Sequence, residues 1–391
     1  MQMAEFRALL SSEGLRLLDE VDALSTPGDV VGTVSRLRAA GHSPELVAAV
    51  LTQAKLRRRA SAKFGDFAER MLFTEAGLEQ ATRLRVAALH AGRFQRAGIT
   101  RVADLGCGIG ADALALASLG IAVTAIERDE VTAAIAAYNL APFPDARVVN
   151  TDAEDIGLDD ADGIWLDPAR RDGVRRLSDP SDWSPSLDFC FDLAAGRPTG
   201  IKLGPGIDRD LIPDGLEAQW VSVDRDVVEL VLWSPPLARD GIRRAALLLT
   251  DRGAAEMTAA SDSEDADTGS LGEWLYEPDG AVIRARLIGD LARDLGGRML
   301  DPTIAWITTD ERVDTEFAQR FRVVEEFPLD VKLLKREVAA RGIGTLEIKK
   351  RGVDLDPAAL RKRLAPKGDA SATLILTRAG GRRVALLAER A

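Results

Sequence analysis

Residues 100–129 read TRVADLGCGIGADALALASLGIAVTAIERD. The apolar run Arg101–Leu105 ends in a glycine cluster at Gly106, Gly108 and Gly110, and a helical pattern follows at Ala111–Leu119. A second apolar run, Ile121–Ile126, closes on Glu127. Strand, glycine turn, helix and strand, with an acid about twenty positions beyond the glycines, predict the opening βαβ unit of a nucleotide-binding α/β domain. Glycine is needed where the backbone passes close to a ligand, because any Cβ there would collide. The Glu127 carboxylate is placed to bond a ribose diol.

Downstream, the same alternation continues. Val131–Leu140 reads as a helix, Ala146–Val149 as a third strand leading to Asp152-Ala153, and Gly163–Leu166 as a fourth entering Asp167-Pro168-Ala169-Arg170. Thr199–Leu203, Val227–Trp233 and Ala245–Thr250 read as strands five to seven, the last two as a hairpin. Residues 96–250 are therefore expected to form an α/β domain with a doubly wound, seven-stranded sheet and an antiparallel edge. Upstream, residues 1–95 show apolar spacing of helical period in Phe6–Val21, Val30–Ala39, Glu45–Ala60 and Gly77–Leu89, predicting a helical domain. Ser43-Pro44-Glu45 is a helix start, with Ser at the N-cap and Pro in the first turn. Residues 251–320 read as an acidic loop, 253–270, and a connecting segment with a helical run at Val282–Leu295 and a strand at Ile304–Thr308. Residues 321–391 read as a small α+β module ending in a β-hairpin.

Bulk properties narrow the class. A chain of 391 residues, 46% hydrophobic and 29% charged, suits a soluble protein of two or three domains. No apolar run approaches the ~20 residues of a membrane span, and no leader peptide is recognisable. Two cysteines and two histidines argue against a disulfide framework or a metal site and for a reducing cytoplasm. The net charge of −11 is unevenly spread: residues 331–391 hold 15 Lys+Arg against 6 Asp+Glu, so the remainder carries −20. A basic module on an acidic body points to a polyanion as partner. The cluster Lys55, Arg57, Arg58, Arg59 and Lys63 is a candidate second contact for a phosphate backbone.

The glycines do not choose the cofactor; the acids around them do. Asp104, two residues before Gly106, would crowd a pyrophosphate but suits a cationic sulfonium and an α-amino group. Asp152 is placed to accept from an adenine amino group, and Asp167-Pro168 lies where a transferase presents its acceptor. This joint pattern resembles the class I S-adenosylmethionine-dependent methyltransferases over about residues 70–250. The resemblance implies S-adenosyl-L-methionine as cofactor. Asp104, Gly106, Gly108 and Gly110 would line its methionine part, Glu127 its ribose, and Asp152 with Ala153 its adenine. Leu72–Ala81 resembles the segment before the first motif in guanosine-N2 methyltransferases of the trimethylguanosine-synthase type. That segment closes over the cofactor's methionine end, which puts Thr74 there, and Gln80 beside it.

On the acceptor side, a carboxylate and a main-chain carbonyl can each take one N–H of an exocyclic amine and turn its lone pair toward the methyl group. Asp167 and the carbonyl of Pro168 suit that role. Amino-group methyltransferases usually continue Asp-Pro-Pro-aromatic, whereas this chain reads Asp167-Pro168-Ala169-Arg170. Trp183 or the Arg170 guanidinium is the candidate to stack on a base in place of that aromatic. The C-terminal stretch resembles the THUMP-like domain that accompanies such enzymes. Lys349, Lys350 and Arg351 are its leading phosphate-contact candidates, followed by Arg361, Lys362 and Arg363. The expectation is thus an enzyme that methylates a base amino nitrogen, guanosine N2 first, in tRNA or rRNA. Two alternatives stand beside it: a methyltransferase for a small molecule or protein, and an RNA-binding protein that keeps the fold without turnover. A NAD-linked oxidoreductase is disfavoured by Asp104 and Asp167-Pro168.

Overall fold

The computed structural model describes residues 3–24, 30–168, 171–172, 175–176 and 183–391. The chain divides into two units: Met1–Leu203 with Leu232–Ala238, and Gly204–Val231 with Arg239–Ala391.

The first unit opens with helices α1 (Met3–Leu9), α2 (Ser12–Leu24), α3 (Val30–Ala39) and α4 (Pro44–Phe64). The periodic stretch Phe6–Val21 is two helices, because the chain breaks at Leu10–Ser11. At α4 the Ser43 hydroxyl accepts from the Leu46 N–H at 3.2 Å, as the cap signal predicted, and Gly65 at φ +55° ends the helix. Its buried stripe runs from Leu46, Val47 and Val50 to Phe64. The predicted helix Gly77–Leu89 is also two, α5 (Glu75–Gln80) and α6 (Leu84–Arg96).

Next come β1 (Arg101–Leu105), α7 (Ala111–Ser118), β2 (Ala122–Ile126), α8 (Glu130–Leu140), β3 (Ala146–Val149) and β4 (Gly163–Leu166). A short pair, β5 (Arg171–Asp172) with β6 (Arg175–Arg176), precedes α9 (Leu187–Gly196) and β7 (Thr199–Leu203). Strands β7-β4-β1-β2-β3 lie side by side in that order, all parallel. The order runs outward in both directions from the β4/β1 pair, so the carboxyl ends of those two strands flank the switch point where such sheets bind ligands. Below it, His90, Phe94, Trp165 and Trp233 pack ring against ring, with centroids 4.5–6.3 Å apart.

In the second unit β8 (Glu217–Val223) turns through Asp224 and Arg225, both at positive φ, into β9 (Asp226–Trp233), whose last two residues belong to the first unit. Then follow β10 (Arg244–Thr250), parallel to β8, and β11 (Gly253–Ala259), antiparallel to β10. All seven strands read from the sequence are present. Strands β8 and β11 were not foreseen, and they correct the seven-stranded count and the hairpin of the last two predicted strands: the hairpins are β8–β9 and β10–β11. The small, acidic run that begins at residue 253 passes for a loop because β11 is an edge strand, whose outer residues need no apolar contact. It is fixed instead by Glu256, which with the fully buried Glu217 of β8 grips Arg239.

The rest of this unit contains β12 (Trp274–Pro278), α10 (Gly280–Arg284), α11 (Ile288–Asp294), β13 (Arg298–Asp301), β14 (Ile304–Thr309) and β15 (Ala318–Pro328). These lead to α12 (Val331–Ala340), β16 (Ile343–Lys350), α13 (Pro357–Leu364), β17 (Ala370–Ala379) and β18 (Arg382–Arg390). Seven strands form one sheet in the order β13-β14-β12-β15-β18-β17-β16. Three of them come from the stretch read as a loop and connecting segment, in which β14 was expected and β12 and β13 were not. The two-residue period of β17 and β18 divides the core: Leu374, Leu376 and Leu387 pack with α12 and α13, whereas Ile375 and Leu386 pack with Trp306 and Phe321.

Candidate active site

A pocket of about 270 Å³ opens at the carboxyl ends of the first unit's parallel strands. The glycine loop forms its floor. Gly106 sits at φ +88°, and a Cβ there would lie 3.1 Å from the Asp167 carbonyl oxygen, so only glycine lets the loop pass beneath the end of β4. Gly108 lines the pocket. Gly110 is outside the lining; it is the N-cap of α7 at φ +85°, the left-handed region that favours glycine, with Leu140 and Ala136 of α8 beside it.

Glu127 lines the pocket beside the glycines, its oxygens accepting from the N–H groups of Gly108 at 3.1 Å and Asp129 at 2.8 Å. Burial pushes its carboxyl up, against the pull of those two donors. Asn150 holds the carbonyls of Glu127 and Arg128 through its amide, both at 2.9 Å. Thr151, Asp152 and Ala153 continue the lining, with Ser184 and Pro185 nearby.

The facing wall is the segment that precedes the glycine motif. Thr74, Gly77 and Gln80 line the pocket, and Thr74 also caps α5 by accepting from the Gly77 N–H at 2.9 Å. Two buried amides pin the approach to this wall. Gln53 pairs with both the N–H and the C=O of Phe73, and Asn139 bonds the N–H and C=O of Leu72 and the carbonyl of Ile109. At the far end of α5, Lys63 donates to the carbonyls of Leu78, Glu79 and Ala81, each at 2.8 Å. Burial, with the Arg83 and Lys202 cations, brings Lys63 down to about 8.

Asp112, Glu127, Asp129, Asp152 and Asp167 line the pocket, and Asp104 is buried in β1, outside that lining. Asp104 is 1% exposed, and neither of its oxygens has a hydrogen-bond partner among the described residues. Burial first, then the Asp112 and Asp167 charges, holds its carboxyl well above the usual carboxylate range. Asp112 lines the pocket and accepts from Thr82 at 2.7 Å and His90 Nδ1 at 2.9 Å. Burial opposes its ionisation, yet the His90 bond and charge leave it below the ordinary value. Asp167 lines the pocket at the end of β4, and Lys202 Nζ on β7 lies 2.6 Å from its Oδ2.

Pro168 follows Asp167 and is buried. Arg170 lies outside the described residues. Trp183 is 9% exposed and not part of the pocket lining, so it packs inside rather than presenting a face for stacking. In the second unit Lys349 and Arg351 both meet Glu277, at 2.6 and 3.5 Å, and lie over Phe321 and Trp306 respectively. Those two candidates share one carboxylate, and Lys350 between them is exposed. In the N-terminal cluster Arg57 is buried against Asp22, Asp19 and the Met71 carbonyl, and Arg59 pairs with Glu75. With Lys63 also engaged, only Lys55 and Arg58 of that cluster are exposed without an ion pair among the described residues.

Sequence reasoning passed over Asp112, Asn139 and Lys202. The first two carried a signal, as polar residues inside the largely apolar helices ADALALAS and EVTAAIAAYNL. Lys202, inside a short strand, carried none.

The donor set fits one kind of ligand. A buried carboxylate without partners, with Asp112 beside it, calls for a cation, and the rim at Glu127 suits a diol. Among the described residues no group of three or more His, Cys, Asp and Glu is poised to hold a metal, and no helix is long and apolar enough to cross a membrane.

Comparison with known proteins agrees. The THUMP domain-like family model matches residues 318–390, and a family model described as a domain of unknown function matches residues 2–60. Two Mycobacterium tuberculosis strains each have an uncharacterised S-adenosylmethionine-dependent methyltransferase 35% identical over 355 residues, covering 88% of this chain and 95% of the relative. A solved structure from Porphyromonas gingivalis, named as a methyltransferase, superposes over 95% of this chain and 94% of its own, with TM-score 0.72 and 24% identity. The chain belongs to the S-adenosylmethionine-dependent methyltransferases, carries the α/β fold of their class I, and ends in a THUMP-like region.

Proposed function

We propose that this enzyme methylates an exocyclic base nitrogen, guanosine N2 first, in structured RNA such as tRNA or rRNA. The observation that carries the reading is Asp167: its main-chain carbonyl overhangs Gly106 while its carboxylate faces the same pocket. Bound S-adenosylmethionine supplies a methyl group on positively charged sulfur, already activated for displacement. The chain's task is then to hold and orient the acceptor. The Asp167 carboxylate and the carbonyl of Pro168 would each accept one N–H of the amine, leaving its lone pair to attack. Lys202 fixes the carboxylate from behind.

For the cofactor, Asp104 and Asp112 would meet the cationic methionine end, with Gly106, Gly108 and the Thr74 wall around it. Glu127 would take the ribose hydroxyls, and Asp152 with Ala153 the adenine. RNA as the acceptor is supported by the THUMP-like match and by the +9 charge of residues 331–391. The test is transfer of labelled methyl to total cellular RNA followed by nucleoside mass spectrometry. N2-methylguanosine is the expected product, and Asp167→Ala should abolish it. Label appearing in protein or small molecules, with none in RNA, would refute the reading.

A further inference from the structure

We infer that the phosphate-binding surface of the C-terminal region is the solvent face of α12 and α13, not the strand β16 that carries the conspicuous Lys349-Lys350-Arg351 run. The inference rests on the RNA reading above and narrows it to a surface. Both helices sit on one hydrophobic cluster, α12 through Leu334 and Val338 and α13 through Leu360 and Leu364. With those positions turned inward, Lys332, Lys335 and Arg336 of α12 and Arg361, Lys362 and Arg363 of α13 are exposed.

Pairing separates the two basic groups. Lys349 and Arg351 share Glu277, are half-buried and stand over aromatic rings, which makes them part of the sheet's own packing. Lys335, Arg361, Lys362 and Arg363 have no ion-pair partner among the described residues. Asp330 and Asp356, the acids nearest the helix starts, are occupied as N-caps, accepting from the N–H groups of Leu333 and of Ala358 and Ala359. One cation satisfies the carboxyl end of a helix; three in succession on the last turn of α13 exceed that need. Unpaired cations on adjacent helices fit a phosphate backbone, whose binding releases condensed counterions for every charge neutralised.

The test uses the full chain and a fluorescent RNA stem-loop, with anisotropy read across a salt series. One variant carries Arg361→Glu, Lys362→Glu and Arg363→Glu; a second carries Lys349→Gln, Lys350→Gln and Arg351→Gln. Circular dichroism and the thermal unfolding midpoint of the full chain, unchanged from the native protein, report that each variant is folded. The α13 variant should bind RNA at least about tenfold more weakly at low salt, and its slope of log K against log salt should flatten by about 2 to 3. The β16 variant should keep the native slope. If the α13 variant binds as the native chain does, or the β16 variant alone loses the slope, the assignment is overturned while the RNA reading stands. A native chain that fails to bind at low salt defeats the RNA reading itself, and the surface with it.

Discussion

Lys202 Nζ lies 2.6 Å from Asp167 Oδ2, joining the end of β4 to β7 through one ion pair that is mostly shielded from water. A charge-assisted bond of this length fixes the carboxylate in one rotamer, the orientation an acceptor would need. Lys202→Met should lower kcat for RNA methylation about 100-fold while S-adenosylhomocysteine affinity changes little, a loss of the size seen for a single preorganised polar group. Lys202→Arg should restore part of it. Adding Lys202→Met to Asp167→Ala should cost nothing further, because both changes remove one unit. Strict additivity of the two would count against the pair's acting together.

Asp104, proposed to meet the cofactor's cationic end, should make cofactor binding a proton-linked event. Its folded-state pKa is raised, so between the unfolded value of about 3.9 and the raised one the folded chain holds a proton that the unfolded chain has lost. Over that window its contribution to stability falls as pH rises. A bound cation reverses the penalty and expels the proton. Calorimetric titration of S-adenosylmethionine within that window, in buffers of different ionisation enthalpy, should show proton release. Asp104→Asn should abolish it, and identical buffer dependence in native and variant would exclude the mechanism.

Lys63 has the opposite sign. Its folded pKa of about 8 lies below the ordinary value of 10.5. Between those two values the unfolded chain binds more protons, so the group's contribution to stability rises with pH. Urea midpoints at about pH 7 and about pH 9.5 should show this gain in the native chain relative to Lys63→Met. Parallel pH profiles for the two proteins would remove Lys63 as the cause.

Glu127 accepts from two backbone N–H groups that no other side chain among the described residues reaches. Glu127→Ala leaves both without that acceptor and removes the carboxylate proposed to meet the ribose. The loss should be about 1–3 kcal/mol in S-adenosylhomocysteine affinity, or about 5- to 150-fold. Glu127→Gln, which keeps one acceptor oxygen, should fall between. Unchanged affinity in the alanine variant would take the ribose role away from this residue.

Residues 100–129 announced the fold because a βαβ unit is local: strand, turn and helix follow within thirty positions, and each leaves its own periodicity. Strands β1, β2 and β4 fall where the apolar runs placed them, and α13 at Pro357–Leu364. What could not be read depends on distant pairing. Lys202 reaches Asp167 only because β7 lies beside β4, and the lysine in GIKLG gives no sign of that neighbour. Gly110 looked like its two companions until α8 was seen against it. Lys349 and Arg351 read as free charge because Glu277 stands more than seventy residues earlier in the chain. The exposed cations of α12 and α13 carried the same letters with less emphasis.

The double hydrogen bond of Gln53 to Phe73 links helix α4 to the residue just before Thr74. Whatever stiffens the α5 wall must therefore be felt in the helical N-terminus, and the Phe73 amide becomes a natural reporter. Its hydrogen exchange requires that Gln53 let go, so a ligand bound only by the closed form should slow that exchange in proportion to its occupancy. Gln53, which lies in a stretch matched by a family model without an assigned role, would then add to the cofactor site's own stability. A chain with a loosened α4 would hold its cofactor poorly even with every glycine in place.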